Sequence, residues 1–301
     1  GRAERRLPAE VQVLLKSVAK KSSPMAALRT MVSALAIYDP EAEDSFREAN
    51  VRKAIRMTAR IATIISDYHR FRNNQDPIAS DPSLGHAANF LYTLTGRIPD
   101  KSVAGMFDAC LILHADHEFN ASTFAARVTA ATLSDAYSAI TSAIGALKGP
   151  LHGGANEQVM RLLSAIGTPE RVEEHLRGMM ARKDKIPGFG HRVYKTEDPR
   201  ATHLRKFSQE LAQKTGETKW YEMSRRIEEA MIVGGMKARG ICANVDFYSA
   251  STYHYMGLPT DLFTPVFALS RVVGWTAHVL EQYADNRLIR PMGEYTGLQE
   301  V

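Results

Sequence analysis

A chain of 301 residues, 45% hydrophobic and 24% charged, can bury a large core and is far from the composition of a disordered polypeptide. Its net charge of +5 is scattered, with no basic tail or aromatic-interleaved basic stripe, which argues against a nucleic-acid binder. No apolar run approaches a membrane span, GRAERRLPAE is no secretory signal, and Cys110 and Cys242 stand apart in apolar surroundings, so a reducing cytoplasm is expected rather than a disulfide framework.

In chain order, the first informative segment is LILHADHEFNAS, which holds His114, Asp116 and His117 near an expected helix end. It lacks the HExxH pattern and a distant third ligand, so no metal is expected. A polar patch that binds a substrate carboxylate or carbonyl is the better reading. From 134 to 147, Ile140, Ala143, Ile144 and Leu147 recur at i, i+3, i+4 and i+7, the stripe of an amphipathic helix. Ser134 and Asp135 suit its start, and Gly149-Pro150 its stop.

The break that follows is GPLHGGAN. Gly153 and Gly154 permit backbone conformations closed to other residues and let a ligand approach. The next helix begins near Ala155, which sets His152 beside the positive end of a helix dipole. That position favours a neutral imidazole able to donate one hydrogen bond. A loop histidine that caps the helix is the competing reading.

The second break, KIPGFGHRVYKTEDPR, is predicted as a tight exposed turn at Pro187, Gly188 and Gly190, followed by His191, Arg192, Lys195 and Arg200. Free backbone N–H groups beside three cations suit a phosphate or a carboxylate; a basic surface loop is the alternative. The segment fits neither a Walker loop nor a dinucleotide fingerprint. Residues 214–218 read as a plain loop, and a helix is predicted from about 221 to 238, with Met223, Ile227, Ala230 and Met231 inward. In NVDFYSAS, Asp246 lies among Val245, Phe247 and Tyr248. Burial would raise its pKa toward that of a general base; a helix N-cap is the other reading. A last helix follows Pro265, with Leu269, Val272, Val273, Thr276, Ala277 and Leu280 as its stripe. Alternating strands and hairpin signals are absent, so the fold is expected to be all-α.

The ordered string HADHEFNAS, GPLHGGAN, PGFGHRVYK, DPR, NVDFYS, SRVVGW and IRP resembles the citrate synthases over most of the chain. The resemblance implies a multi-helical fold of two domains: a large one from 1–153 and 258–301, and a smaller mobile one from 154–257. It implies an acyltransferase that condenses acetyl-CoA with oxaloacetate through an enol. His152 then matches the donor to the thioester carbonyl, Asp246 the base that removes a methyl proton, and His191 the group that polarises the oxaloacetate carbonyl. His117, Arg200 and Arg271 match oxaloacetate ligands. Arg290 matches the arginine that enters the neighbouring subunit's site, which makes the chain a homodimer. Lys185, Ile186, Pro187, Gly188, Phe189 and Gly190 match the stretch that cradles the CoA adenine, and Lys195 matches a cation for a CoA phosphate. No cofactor, metal, nucleic acid or membrane is implied.

Family members carry a further N-terminal segment and a longer C-terminal tail than this sequence; the matched catalytic residues lie in neither. Two alternatives stand beside this reading. One is 2-methylcitrate synthase, which uses propionyl-CoA and often carries Tyr where His114 stands here. The other is a silent CoA-binding scaffold, against which the intact set His152, His191 and Asp246 argues.

Overall fold

The computed structural model describes residues 2–191, 193–194 and 196–297. Among them are thirteen α-helices and no strand beyond one isolated bridge. They are α1 (Ala9–Val18), α2 (Pro24–Leu35), α3 (Arg47–Arg72), α4 (His86–Thr95), α5 (Lys101–His114), α6 (Ala121–Ala131), α7 (Ala136–Leu147), α8 (Ala155–Ile166), α9 (Val172–Ala181), α10 (Pro199–Thr215), α11 (Lys219–Val233), α12 (Val245–Tyr255) and α13 (Phe263–Ala284). The all-α expectation is met. No helix is long and apolar enough to cross a membrane.

Local chemistry explains several boundaries. Asp135 caps α7 by accepting the Ser138 N–H at 3.0 Å, and Ile140, Ala143, Ile144 and Leu147 are all buried. Helix α11 ends at Val233, several residues before the predicted 238, because Gly234 and Gly235 follow and Gly235 has φ +75°. A short 3-10 turn over Lys237–Arg239 occupies the rest.

The helices pack in two groups. In the first, α13 lies against α3, α5, α6 and α7; of its predicted stripe, Leu269, Val272 and Thr276 are buried, Leu280 is half-buried, and Val273 and Ala277 are exposed. In the second, α12 packs on α8, α10 and α11, and α9 on α11. Polar ties fasten the first group. Asp39 is matched by Arg56 at 2.8 and 3.0 Å, and Lys53 donates its Nζ–H groups to the carbonyls of Ala42 and Asp44 at 2.9 and 2.7 Å. These bonds pin the 39–44 loop to α3 and leave the buried Lys53 ammonium satisfied.

One contact sets where α13 can lie. The Gly274 N–H is 3.1 Å from the Ala115 carbonyl, and a Cβ at this position would come within 2.3 Å of that oxygen. The helix can therefore lie directly on the turn after α5. Gly274→Ala should lower the unfolding free energy by about 2–3 kcal/mol, through overpacking against backbone that cannot swing away. Urea unfolding monitored by circular dichroism checks this; an unchanged midpoint would show that the turn can move.

Candidate active site

Four segments meet where the two groups face each other: the turn after α5, the turn between α7 and α8, the segment before α10, and the start of α12. The ring centroids of His117, after α5, and His191, before α10, are 5.0 Å apart.

His152 is fixed by the chain around it. Its N–H donates to the Gly149 carbonyl at 3.0 Å, and the Gly153 N–H donates to the Leu147 carbonyl at 3.1 Å. Gly153 is required here for space: a Cβ would fall 2.3 Å from the Leu147 oxygen. Neither Gly153 nor Gly154 has a positive φ, so the expectation of a special backbone conformation is corrected to one of close approach. The Ser122 N–H, which can only donate, points at His152 Nε2 from 3.3 Å, with Ser122 Oγ at 2.8 Å. Nε2 is therefore the acceptor, and the proton of the neutral ring sits on Nδ1. Trp275 Nε1–H donates to Ser122 Oγ at 3.1 Å and holds that hydroxyl in place. Burial, and then the charge of Arg271, push the His152 pKa down to about 4. The leading cause of the lowered pKa is desolvation.

His191 has the opposite tautomer. Its Nδ1 accepts the N–H groups of Val193 and Tyr194 at 3.0 and 3.1 Å, so in the neutral ring the proton is on Nε2. The Tyr194 ring stacks on it at 4.7 Å.

Asp246 lies in the first turn of α12, while Asn244 takes the cap position by accepting the Asp246 N–H at 3.0 Å. The N-cap reading of Asp246 is thereby corrected. No donor among the described residues reaches its carboxylate. Burial pushes its pKa up to about 6, against the lowering charges of Arg200 and Arg271.

The glycine turn before His191 is docked on α12 and is not the exposed loop expected. Gly190 N–H donates to the Cys242 carbonyl, and Asn244 N–H to the Gly188 carbonyl, both at 2.9 Å. Asn244 Nδ2–H adds a bond to the Gly190 carbonyl at 3.0 Å, and the rings of Phe189 and Phe247 meet at 4.6 Å. Gly188 is buried, Ile186, Pro187, Phe189 and Gly190 are half-buried, and Lys185 is exposed. Arg192 and Lys195 lie outside the described residues.

The cations are not equivalent. Arg200 is engaged edge-on by Asp198, with Nε and Nη2 donating to the carboxylate at 3.0 and 2.7 Å. Asp198 also accepts the Val245 N–H at 3.2 Å. Burial opposes the charge on Asp198, but Arg200 and the backbone donors hold its carboxyl below the ordinary range. Arg271, 2% exposed, donates from Nε to the His114 carbonyl at 2.7 Å, and its pKa is pushed down to about 10 by burial and then by Arg200. Its charge acts on His114, His117, His152 and Asp246, and that of Arg200 on His114, His117 and Asp246, so both guanidinium groups face one space. Arg290 is exposed on the segment after α13.

The trio His114, Asp116 and His117 is divided. His117 turns toward His191, and its buried Nε2 has no partner. His114 is fully buried, donates from Nδ1 to the Cys110 carbonyl at 2.8 Å, and has its pKa pushed down to about 3 by desolvation. Asp116 is on the surface side. No group of three or more His, Cys, Asp or Glu that could hold a metal occurs among the described residues. Sequence reasoning missed Ser122, Asn244, Asp198 and Trp275, although all four lie inside the recognised motifs HEFNAS, NVDFYS, DPR and SRVVGW.

Two imidazoles with assigned N–H groups, a carboxyl with a raised pKa, a buried Arg271 and a half-buried Arg200 make a site whose chemistry suits proton transfer. The family model described as "Citrate synthase, C-terminal domain" matches residues 1–292. The chain is 53% identical over 295 residues to citrate synthase 2 of Bacillus subtilis, covering 98% of this chain and 78% of that protein. It is 42% identical over 299 residues to 2-methylcitrate synthase of Mycobacterium tuberculosis, covering 99% and 75%. A solved ternary complex of the Thermoplasma acidophilum citrate synthase with carboxymethyl coenzyme A and oxaloacetate superposes with a TM-score of 0.93 at 35% identity, covering 100% of this chain and 80% of that one. The chain belongs to the citrate synthase family and is an acyltransferase.

The raised pKa of Asp246 carries a stability consequence. Folding favours its protonated form, so its contribution is fully present below about pH 4 and is lost as pH rises through about 6. Asp246→Asn should therefore raise the unfolding free energy at pH 8 by about 1–2 kcal/mol, with little effect at pH 4. Denaturant midpoints at the two pH values check this; a variant less stable at pH 8 would mean the carboxylate is a net stabiliser.

Proposed function

We propose that the chain condenses acetyl-CoA with oxaloacetate and water to give citrate and CoA. The observation that carries this reading is the pair of opposed tautomers, His152 with its proton on Nδ1 and His191 with its proton on Nε2, in one site with a half-buried carboxylate.

The methyl protons of a thioester are weakly acidic, so a carboxylate removes one only if charge on the carbonyl oxygen is met by a preplaced donor. Asp246 takes the proton, the C–H electron pair moves into an enol, and His152 Nδ1–H stabilises its oxygen. The enol carbon attacks the oxaloacetate ketone, whose oxygen is met by His191 Nε2–H. A C–C bond forms, water then cleaves the thioester, and CoA leaves as the thiol. These steps move protons and electron pairs only, so no redox cofactor or metal is called for. His117, Arg200 and Arg271 hold oxaloacetate; of Arg200, the edge not engaged by Asp198 is the part that serves. Residues Lys185 to Gly190 receive the CoA adenine, and Lys195 a CoA phosphate. Closure of a small domain, 154–257, over the rest excludes water from the enol. The protein works as a homodimer in the cytoplasm, with Arg290 entering the neighbouring protomer's site; its exposure on an extended segment suits that reach.

Propionyl-CoA is the second reading, favoured by the 42% identity to a 2-methylcitrate synthase. One methylene changes binding by about 1–3 kcal/mol, so the two substrates are told apart by measurement. Thiol release on mixing each acyl-CoA with oxaloacetate should be faster with acetyl-CoA; a propionyl preference would move the enzyme to the second reading. Asp246→Ala should lower kcat by about 10²–10⁴-fold while oxaloacetate still binds. With the parent chain, kcat/KM should fall about tenfold per unit below pH 6, where Asp246 becomes protonated. A flat profile between pH 5 and 7 would rule out Asp246 as the base.

A further inference from the structure

His278, two turns before the end of α13, lies outside the reacting groups, yet its ring joins three elements. Nε2 is 3.1 Å from Asp116 Oδ1, and Nδ1 is 3.2 Å from Arg127 Nη1 on α6. An arginine can only donate, so Nδ1 is an acceptor and the ring proton is on Nε2, aimed at Asp116. Accepting from Arg127 on one side and donating to Asp116 on the other, the ring links the two. Arg127 is itself anchored: Nη1 also reaches the His278 carbonyl at 3.3 Å and pairs with Glu281, and the guanidinium lies over the Phe119 ring at 5.0 Å.

Asp116 shapes the turn that presents His117. Its second oxygen, Oδ2, accepts the Glu118 N–H at 3.2 Å, and Glu118 is held at φ +52°, a left-handed conformation that a non-glycine residue adopts under local constraint. On the other side of the turn, Asn120 Nδ2–H donates to the His117 carbonyl at 3.1 Å. The close approach at Gly274 brings Asp116 to within reach of His278, one helical turn further along α13. The side chains of Arg127 and His278 are 14% and 15% exposed, so this relay is shielded where it begins even though Asp116 itself faces water.

We propose that His278 is a positioning residue for oxaloacetate recognition: through Asp116 it holds the 115–119 turn so that His117 keeps its unpartnered Nε2 beside His191. This rests on the reading of His117 as an oxaloacetate ligand. The role needs a side chain that accepts on one side and donates on the other, which a glutamine amide reproduces and a leucine does not.

The test is steady-state kinetics of the 301-residue chain, with the oxaloacetate Kd measured in parallel. His278→Leu should raise KM and Kd for oxaloacetate about five- to twentyfold, with kcat and the acetyl-CoA KM within about twofold. His278→Gln should stay within about twofold of the parent. Asp116→Ala should match His278→Leu, and the double variant should be no worse than either single one. An unchanged oxaloacetate KM in His278→Leu, or a glutamine variant as impaired as the leucine one, overturns the proposal, as does a loss spread equally over kcat and both substrates. If the leucine variant does not fold, Asp116→Ala decides in its place: a raised oxaloacetate KM supports the relay and an unchanged one overturns it. His117→Asn separates the layers. If it leaves oxaloacetate affinity intact, the underlying reading of His117 fails and the relay with it. If it raises KM while His278→Leu does not, the relay alone fails.

Discussion

The seam between Gly188–Gly190 and Cys242–Asn244 is the constraint on which the rest of the site depends. Three hydrogen bonds of 2.9 to 3.0 Å join two segments more than fifty residues apart, and each segment runs directly into a candidate site residue: His191 on one side, Asp246 on the other. Asn244 has two tasks. Its amide N–H groups close the seam, while its Oδ1 caps α12 and so sets the direction of the first turn. A fault in this residue would displace Asp246 and His191 together. Asp198 repeats the pattern at a second point, since one carboxylate orients Arg200 and ties the Val245 N–H. The small number of shared bonds makes the relative placement of Asp246, His191 and Arg200 a property of backbone pairing, which is stiffer than side-chain rotamers.

Electrostatics in this space works mainly through the removal of water. Desolvation is the leading cause at His114, His117, His152, Asp246 and Arg271 alike, and it acts on every one of them against the charged form. Arg271 lowers the pKa values of His114, His117 and His152 further, joined by Arg200 at the first two, while at Asp246 both arginines oppose burial without cancelling it. A neutral hydrogen-bond donor and a reactive carboxylate can exist side by side at neutral pH because the same dry environment raises one pKa and lowers the other.

Much of this was legible in the sequence, and the rest was hidden for identifiable reasons. The three breaks in the helical pattern carried His152, His191 and Asp246, because glycine, proline and capping residues mark the points where backbone leaves a helix. Partners that depend on tertiary contact were not visible: nothing near Ser122 in the sequence signals that its N–H will meet His152, thirty positions later. The glycine turn read as exposed because its polar and small residues resemble a surface loop; Phe189 and Phe247 pull it onto α12. The helix predicted to about 238 stops at Val233 because Gly234 and Gly235 follow, a break that the apolar period alone does not register. Gly153 was assigned to conformational freedom, when the shape of the Leu147 carbonyl next to it is what excludes a side chain.

The two glycines of the docked turn look interchangeable in the sequence, and the structure makes them unequal. Both have positive φ, +79° at Gly188 and +83° at Gly190. At Gly188 a Cβ would also meet Phe247 and Val159 at 2.8 Å, whereas at Gly190 the nearest atom, on Ile241, is 4.0 Å away. One position is closed by both torsion and volume, the other by torsion alone. In a library randomised at both sites, asparagine could therefore survive at the second and nothing but glycine at the first. The route by which such a turn drifts over generations is one residue wide, and it opens on the side nearer His191.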